Sequence, residues 1–219
     1  MSLITLKQVN KHYGENKHIL KDISINIEEG EMLAIMGKSG SGKSTLLNIL
    51  GGLDGNYTGK YRYKNEEINT YNKNKLTKHR RDNIGFVVQS LCLVNDMTVY
   101  DNIEMPLKYS GYSRQERKKR VYELLDEIEM GDRKDNYPHE LSIGQCQQIA
   151  VLRAVACKPR LLLADEPTGS LDSVTSHNII KMFEQMNKQG MTIVIVTHDT
   201  DIAACCKRTI RIVDGIIEG

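Results

Sequence analysis

The sequence contains no long apolar stretch, and this absence limits how the protein can meet a membrane. A helix needs about 18–20 consecutive apolar residues to span a bilayer. The longest apolar runs, at residues 161–164 and 193–196, are much shorter and are typical of buried strands. The first ten residues lack the basic start and long apolar region of a secretory signal. We therefore expect any membrane role to depend on a separate partner.

The sequence also lacks a charge imbalance and a paired cysteine motif. Its 30 basic and 28 acidic residues leave a formal net charge of +2, which gives no electrostatic reason to expect a nucleic-acid partner. The five cysteines are an odd number, and they form neither a CxxC pair nor a Cys/His cluster. We interpret them as buried, reduced thiols of a cytosolic protein.

Strand and helix patterns alternate along the chain and predict a single domain over residues 1–219. Two alternating strands come first, separated by a loop at 11–17, and an apolar strand at 31–36 follows them. Ser113 and Glu116 form a capping-box pattern in a mainly helical middle region. Buried strands and helices then alternate again as far as a final hairpin, so the pattern indicates an α/β protein.

A phosphate-binding loop is the most specific motif of the chain. Residues 37–44 read Gly-Lys-Ser-Gly-Ser-Gly-Lys-Ser and match G-x-x-x-x-G-K-[ST] between an apolar strand and a helix. The glycines let backbone N–H groups wrap a phosphate chain, and the helix N-terminus adds a favourable dipole. Lys43 is expected to neutralise the β- and γ-phosphates, and Ser44 is expected to bind Mg²⁺.

Two further polar groups follow apolar strands that we expect to end at the same sheet edge. Asp165 is expected to hold Mg²⁺, and the adjacent Glu166 to polarise the attacking water. His198 follows a β-branched strand and is placed to hydrogen-bond the γ-phosphate. Together with the phosphate-binding loop, these residues predict nucleotide hydrolysis.

With these motifs in place, the chain resembles ABC transporter ATP-binding subunits over nearly its whole length. The resemblance includes Tyr13, Gln89 and the segment 141–145, Leu-Ser-Ile-Gly-Gln, which is similar to the family signature LSGGQ. It also includes 170–172, Ser-Leu-Asp, as the loop that crosses to an opposing subunit, and it makes His198 the switch histidine. Seven motifs in the family's order make this resemblance specific.

The resemblance implies a fold, cofactors and a mechanism. The expected fold is α/β, a P-loop NTPase core with a parallel sheet, an N-terminal antiparallel β subdomain and a helical subdomain inserted at about 90–155. Two copies, or a pseudo-dimer, are expected to close head to tail over ATP and Mg²⁺ and to hydrolyse the ATP. The implied catalytic residues are Lys43, Gln89, Glu166 and His198. The implied Mg²⁺ ligands are Ser44, Gln89 and Asp165. The implied ATP-binding residues are Tyr13, Gly37, Lys38, Ser39, Gly40, Ser41, Gly42, Lys43, Ser44 and Thr45, with Ser142, Gly144 and Gln145 from the opposing subunit.

The implied partner is an integral membrane permease subunit, which would hold the chain peripherally on the cytoplasmic face of the membrane. We expect the contact near residues 91–105, just after Gln89. Segments 44–54 and 163–173 are similar to ATPases of lipoprotein-release, macrolide-efflux and antimicrobial-peptide-resistance systems, which favours an export or mechanotransmission type. The alternatives are a low-turnover scaffold on a membrane protein, such as a cell-division partner, and a soluble ABC ATPase of DNA repair or translation. The soluble type usually carries a coiled-coil insertion or two fused cassettes, and the sequence has neither.

Four residues depart from the family pattern, and Ile143 is the most consequential. It replaces a signature glycine, while Cys146, Gln148 and Leu152 also differ from the residues that are common there. If Ile143 faces the opposing nucleotide, its stiff side chain is expected to hinder dimer closure and to favour the scaffold. If it packs into the helical subdomain, no such effect is expected.

Overall fold

The computed structural model describes residues 1–14 and 17–218, so residue 219 and part of the predicted loop at 11–17 lie outside it. The described strands are β1 (Ser2–Tyr13), β2 (Lys17–Glu28), β3 (Met32–Met36), β4 (Thr58–Tyr63), β5 (Glu66–Glu67), β6 (Ile84–Val87), β7 (Leu161–Asp165), β8 (Thr192–Val196), β9 (Arg208–Val213) and β10 (Ile216–Glu218). The α-helices are α1 (Lys43–Leu50), α2 (Lys73–Asn83), α3 (Val99–Tyr109), α4 (Arg114–Glu127), α5 (Ile143–Val155), α6 (Ser173–Lys188) and α7 (Thr200–Ala204). These elements form two sheets with helices packed against the larger one, which confirms the predicted α/β class.

The smaller sheet is antiparallel, with strand order β2-β1-β4-β5. Strand β1 continues to Tyr13, so the predicted loop at 11–17 was too long. The error comes from Lys11, a charged residue that is 2% exposed and pairs with Leu20 of β2. Its Nζ lies 2.7 Å from an Asp54 carboxylate oxygen, and this pairing makes burial of the charge tolerable.

The larger sheet has the order β10-β9-β3-β8-β7-β6, and every neighbouring pair from β9 to β6 is parallel. Strands of a parallel sheet point the same way, so the carboxyl ends of β3, β8, β7 and β6 lie side by side at one edge. Ligands of α/β proteins bind at such an edge.

Both faces of this sheet are covered, which explains why its strands are continuous apolar runs. Leu161 and Leu163 of β7 pack into one core, together with α1 and the antiparallel sheet. Leu162 and Ala164, which alternate with them, pack into a second core with helices α3 to α6. The two cores fix β7 from both sides and thereby hold its carboxyl end in place.

The middle of the chain is helical, as the sequence predicts. The expected capping box of α4 forms between Ser113 and Glu116, and α5 begins with a second one between Ser142 and Gln145. Both boxes satisfy N–H groups at a helix N-terminus and therefore define where each helix starts. The helix α5 packs against α3 on one side and α6 on the other.

Candidate active site

A cavity of about 600 Å³ lies at the carboxyl edge of the parallel strands, within the size range of small-molecule sites. The loop after β3, the end of β7 and the segments after β6 and β8 all contribute to it. Its lining residues are Tyr13, Ile19, Gly37, Lys38, Ser39, Gly40, Gly42, Lys43, Ser44, Thr45, Gln89, Asp165, Glu166 and His198. Of the residues predicted for the chain's own nucleotide site, Ser41 is the one that does not line the cavity, and its hydroxyl is buried.

The phosphate-binding loop is tightly folded and needs glycine for two different reasons. A Cβ at Gly37 would lie 2.3 Å from the Ile212 carbonyl oxygen, so only hydrogen fits there. Gly42 has φ 105° as it leads into α1, a backbone region that glycine adopts readily. The Lys43 ammonium donates hydrogen bonds to the carbonyls of Gly37 and Lys38, at 2.9 and 3.0 Å. The loop thus folds around its own lysine.

Asp165 lies at the end of β7, partly buried and beside the start of α1. Burial raises the pKa of its carboxyl, and a hydrogen bond with Ser44 opposes that increase. Its Oδ1 atom is buried and has no hydrogen-bond partner in the described part of the chain. A buried carboxylate oxygen without a hydrogen-bond partner destabilises the fold, so we infer that a ligand binds to it.

The residues around that oxygen fit Mg²⁺ better than a softer metal. Ser44, Asp165 and Gln89 offer hydroxyl, carboxylate and amide oxygens, which are the hard donors that Mg²⁺ prefers. Within residues 1–14 and 17–218, no cluster of three or more His, Cys, Asp or Glu side chains is suited to a metal. Mg²⁺ usually takes one or two protein oxygens and completes its shell with water and the oxygens of a bound phosphate chain.

Glu166 and His198 are in direct contact. The His198 Nδ1 atom lies 2.9 Å from the Glu166 Oε2 atom, so an N–H at this position donates to the carboxylate. Glu166 has φ 46°, an unusual backbone conformation for a non-glycine residue, and its N–H donates to the Val196 carbonyl of β8. Such conformations concentrate at functional sites and persist where the surroundings fix them.

The far end of the cavity is formed by Tyr13 and Ile19, from the two strands of the first hairpin. The Tyr13 side chain is 48% exposed, its hydroxyl donates to Asp54 at 3.2 Å, and the Lys11 ammonium lies 4.6 Å from its ring centre. Sequence analysis predicted Tyr13 but missed Ile19, whose carbonyl lies 3.1 Å from where a Cβ of Gly42 would stand. No local pattern indicates Ile19, because its role depends on how β2 passes the phosphate-binding loop.

The signature segment (residues 141–145) does not line this cavity. Ser142 caps α5, and a Cβ at Gly144 would lie 2.3 Å from the Thr175 methyl group of α6. Ile143 is 57% exposed, so the alternative that it packs into the helical region is wrong. Ser142 and Ile143 are exposed, whereas Leu141 packs partly against the second core.

Comparisons with known proteins agree with this site. The family model described as ABC transporter matches residues 20–169. The chain is 41% identical to the macrolide export ATP-binding/permease protein MacB of Mannheimia succiniciproducens, over 99% of this chain and 34% of that protein. It is also 41% identical to YknY of Bacillus subtilis, described as an uncharacterized ABC transporter ATP-binding protein, over 98% of this chain and 95% of that protein. A dimeric ATP-binding cassette solved in a post-hydrolysis state with ADP and Pi matches with a TM-score of 0.90 and 41% identity, over 99% of this chain and 97% of that one.

The chain belongs to the ABC transporter family. It is an ATP-binding cassette of that family, and the predicted P-loop NTPase fold is confirmed. It spans about a third of the length of the MacB-type relatives that it matches. Among residues 1–14 and 17–218, no helix has the length and apolar character that crossing a membrane requires.

Proposed function

We propose that this cassette, as a single nucleotide-binding domain over 1–219 with a helical subdomain at about 90–155, powers a separate membrane permease of export type. The observation that carries this proposal is the convergence of the phosphate-binding loop, Asp165, Glu166 and His198 on one cavity. Residues that bind phosphate, hold a metal and activate water are all needed for ATP hydrolysis, and this cavity has all three kinds.

ATP would lie along the cavity, with its phosphates on residues 37–45. Backbone N–H groups of this loop and the N-terminus of α1 favour an anionic chain. The Lys43 ammonium, now bonded to two loop carbonyls, is positioned to contact the β- and γ-phosphates. The exposed ring of Tyr13 offers an aromatic surface on which adenine can stack.

Ser44, Asp165 and Gln89 would hold Mg²⁺ against the phosphates. Bound there, the ion would supply positive charge that offsets the negative charge developing on the phosphates in the transition state. Asp165 contributes through its unpartnered Oδ1 atom. Gln89 lies on the exposed loop after β6, so its contribution changes when that loop moves.

Glu166 is the group that we assign to activation of water. Its carboxylate accepts a hydrogen bond from the water that attacks the γ-phosphorus and can take up the proton that this water loses. His198, at 2.9 Å from Glu166, fixes the carboxylate and offers its other ring nitrogen to the γ-phosphate. The products are ADP and inorganic phosphate.

A second copy of the chain would complete the site. The signature residues Ser142, Gly144 and Gln145 lie at the exposed N-terminus of α5, outside the chain's own cavity. A helix N-terminus attracts phosphate, so we assign these residues to the ATP held by the opposing copy. The dimeric ADP-bound relative is consistent with such a head-to-tail pair.

The permease partner is proposed from the MacB-type relatives, which are named macrolide export ATP-binding/permease proteins. We place its contact near residues 91–105, beside Gln89, and the chain on the cytoplasmic face of the membrane. Macrolide export is the activity in those relatives' names, and a related export function is proposed here. The second candidate, a low-turnover scaffold, is favoured by one observation, the exposed Ile143 in the signature segment.

Crosslinking in cells and ATPase rates of the purified membrane complex distinguish a transporter subunit from a low-turnover scaffold. In a variant whose five native cysteines, Cys92 among them, are replaced by serine, single cysteines placed within 91–105 should crosslink to an integral membrane protein in cells. A single cysteine at Glu66, on β5 of the antiparallel sheet, should not. ATP turnover of the purified complex that rises with an export substrate supports the transporter. A membrane complex whose turnover is no faster than the isolated chain supports the scaffold, and a chain without any membrane partner contradicts both.

A further inference from the structure

The loop between Gln89 and α3 is held in an unfavourable backbone conformation by one side chain of α5. Leu91 and Cys92 have φ values of 59° and 50°, two consecutive left-handed residues that are not glycine. Arg153 donates to both of their carbonyls, from Nη2 to Leu91 at 3.1 Å and from Nη1 to Cys92 at 2.6 Å. The fork of one guanidinium thus holds the turn that immediately follows Gln89.

Both terminal nitrogens of the Arg153 guanidinium donate to the loop. The Arg153 side chain is partly buried, and burial lowers the pKa of its guanidinium, with no carboxylate of the described residues among the groups that oppose this shift. A charged donor makes stronger hydrogen bonds than a neutral one, and the planar fork matches two adjacent carbonyls. Lysine carries the same charge without the fork and therefore cannot replace both bonds in the same geometry.

The rest of the loop is anchored independently by α3. The Asn102 amide is completely buried, donates to the carbonyls of Val94 and Met97, and accepts from the Val94 N–H at 2.9 Å. Asn102 therefore fixes the part of the loop nearest to α3. Within the described residues, the side-chain hydrogen bonds that reach Leu91 and Cys92 from another element come from Arg153 of α5.

We propose that Arg153 is a positioning residue that makes the loop bearing Gln89 move with α5. The opposite end of α5 carries Ser142 and the signature segment, about 16 Å away at a rise of 1.5 Å per residue. A rotation of this helix on dimer closure would then move the Gln89 loop as well. The inference rests on the proposed function, in which the signature segment contacts the second copy's ATP and Gln89 contacts this copy's site.

Amide hydrogen exchange tests the anchoring without any need for catalysis. The N–H groups of Leu91 and Cys92 are bonded within the loop, to the carbonyls of Val88 and Ser90. In Arg153→Gln we expect these two amides to exchange about tenfold faster, because the charged donors that held the turn are gone. The Val94 amide should keep its protection, since Asn102 still holds it.

Arg120→Gln is the matched control. Arg120 also donates to two backbone carbonyls, those of Ala156 and Val155 at the end of α5, but it has no hydrogen bond to the Gln89 loop. The Arg120→Gln substitution should leave the amide exchange rates of Leu91 and Cys92 unchanged. Arg153→Lys should give an intermediate rate, and it replaces Arg153→Gln as the test if the latter does not fold.

Kinetics then test the consequence for the proposed reaction. In Arg153→Gln we expect kcat to fall about tenfold, with the KM for ATP within about twofold of the wild type, because the phosphate-binding loop is untouched. Equal exchange in wild type and both Arg153 variants overturns the proposal, as does an equal increase in Arg120→Gln. If the wild-type chain hydrolyses no ATP, the proposed function fails, but the exchange comparison still decides whether Arg153 anchors the loop.

Discussion

Replacing Ile143 by alanine tests whether this side chain limits closure of the dimer. Ile143 is the first residue of α5 and is 57% exposed, so it contributes little to the folded monomer. In the closed dimer we expect it to stand between the signature helix and the opposing nucleotide, where the family pattern has glycine. A β-branched side chain has few rotamers in a helix and cannot easily turn aside.

The expected change in dimer affinity depends on whether the Ile143 side chain is overpacked against the partner surface or fits it. Overpacking typically costs about 1–3 kcal/mol, and 1.4 kcal/mol is about tenfold in affinity. If that cost falls on the closed state, Ile143→Ala should strengthen ATP-induced dimerisation by roughly one to two decades. If the partner surface fits the side chain instead, burial of its exposed part would be worth roughly 1–1.5 kcal/mol, and the variant would dimerise more weakly.

Light scattering and ATPase rates provide the assay. Dimerisation is measured with ATP in a Glu166→Gln background, where hydrolysis does not reopen the dimer, and turnover is measured in the wild-type background. Ile216→Ala is the matched control, because Ile216 is a similarly exposed isoleucine, 51%, at the edge strand β10. Dimerisation and turnover of Ile143→Ala that equal or fall below the parent would refute the idea that Ile143 restrains closure.

Three other substitutions have defined outcomes. Lys43→Ala should remove most of the affinity for ATP, and calorimetry showing unchanged affinity would exclude the phosphate-binding role. Glu166→Gln should keep ATP binding, lose turnover and accumulate as a dimer of doubled mass, because an amide cannot take up the proton from water; wild-type turnover would exclude Glu166 as the base. Gly144→Ala should lower the free energy of unfolding by about 1–3 kcal/mol, because its Cβ would lie 2.3 Å from the Thr175 methyl group. Adding Thr175→Ser, which deletes that methyl, should restore much of the loss in denaturant titrations, and no recovery would contradict the steric explanation.

The fold was predictable where the chain's local patterns agree with its three-dimensional environment. β7 and β8 are continuous apolar runs because both faces of the larger sheet are covered, and the sequence alone indicated them as buried strands. Lys11 was misplaced in a loop because its charge favours solvent exposure. The Asp54 carboxylate that makes its burial tolerable lies 43 residues further along the chain, and no local pattern connects the two.

In the candidate site, too, some features follow from local sequence patterns and others depend on contacts that the sequence does not indicate. Lys43, Asp165 and His198 follow apolar strands, so the topology of a parallel sheet was enough to predict that they meet. The contact between His198 and Glu166 at 2.9 Å could not be predicted, because it depends on the left-handed backbone of Glu166. The place of the signature segment is a different case. Spacing in one chain carries no information about a second copy, so only the family resemblance indicated its role.

The helix α5 is tied at both ends to segments that we assign to the nucleotide sites. At its start, Gly144 packs against Thr175, whose hydroxyl and N–H are both bonded to the Asp172 carboxylate of the crossing loop. At its other end, Arg153 holds the loop that follows Gln89. A helix of thirteen residues with a packed core is stiff over this length. Displacing either end therefore moves the other, and a change at the signature segment reaches Gln89 without any rearrangement of the phosphate-binding loop.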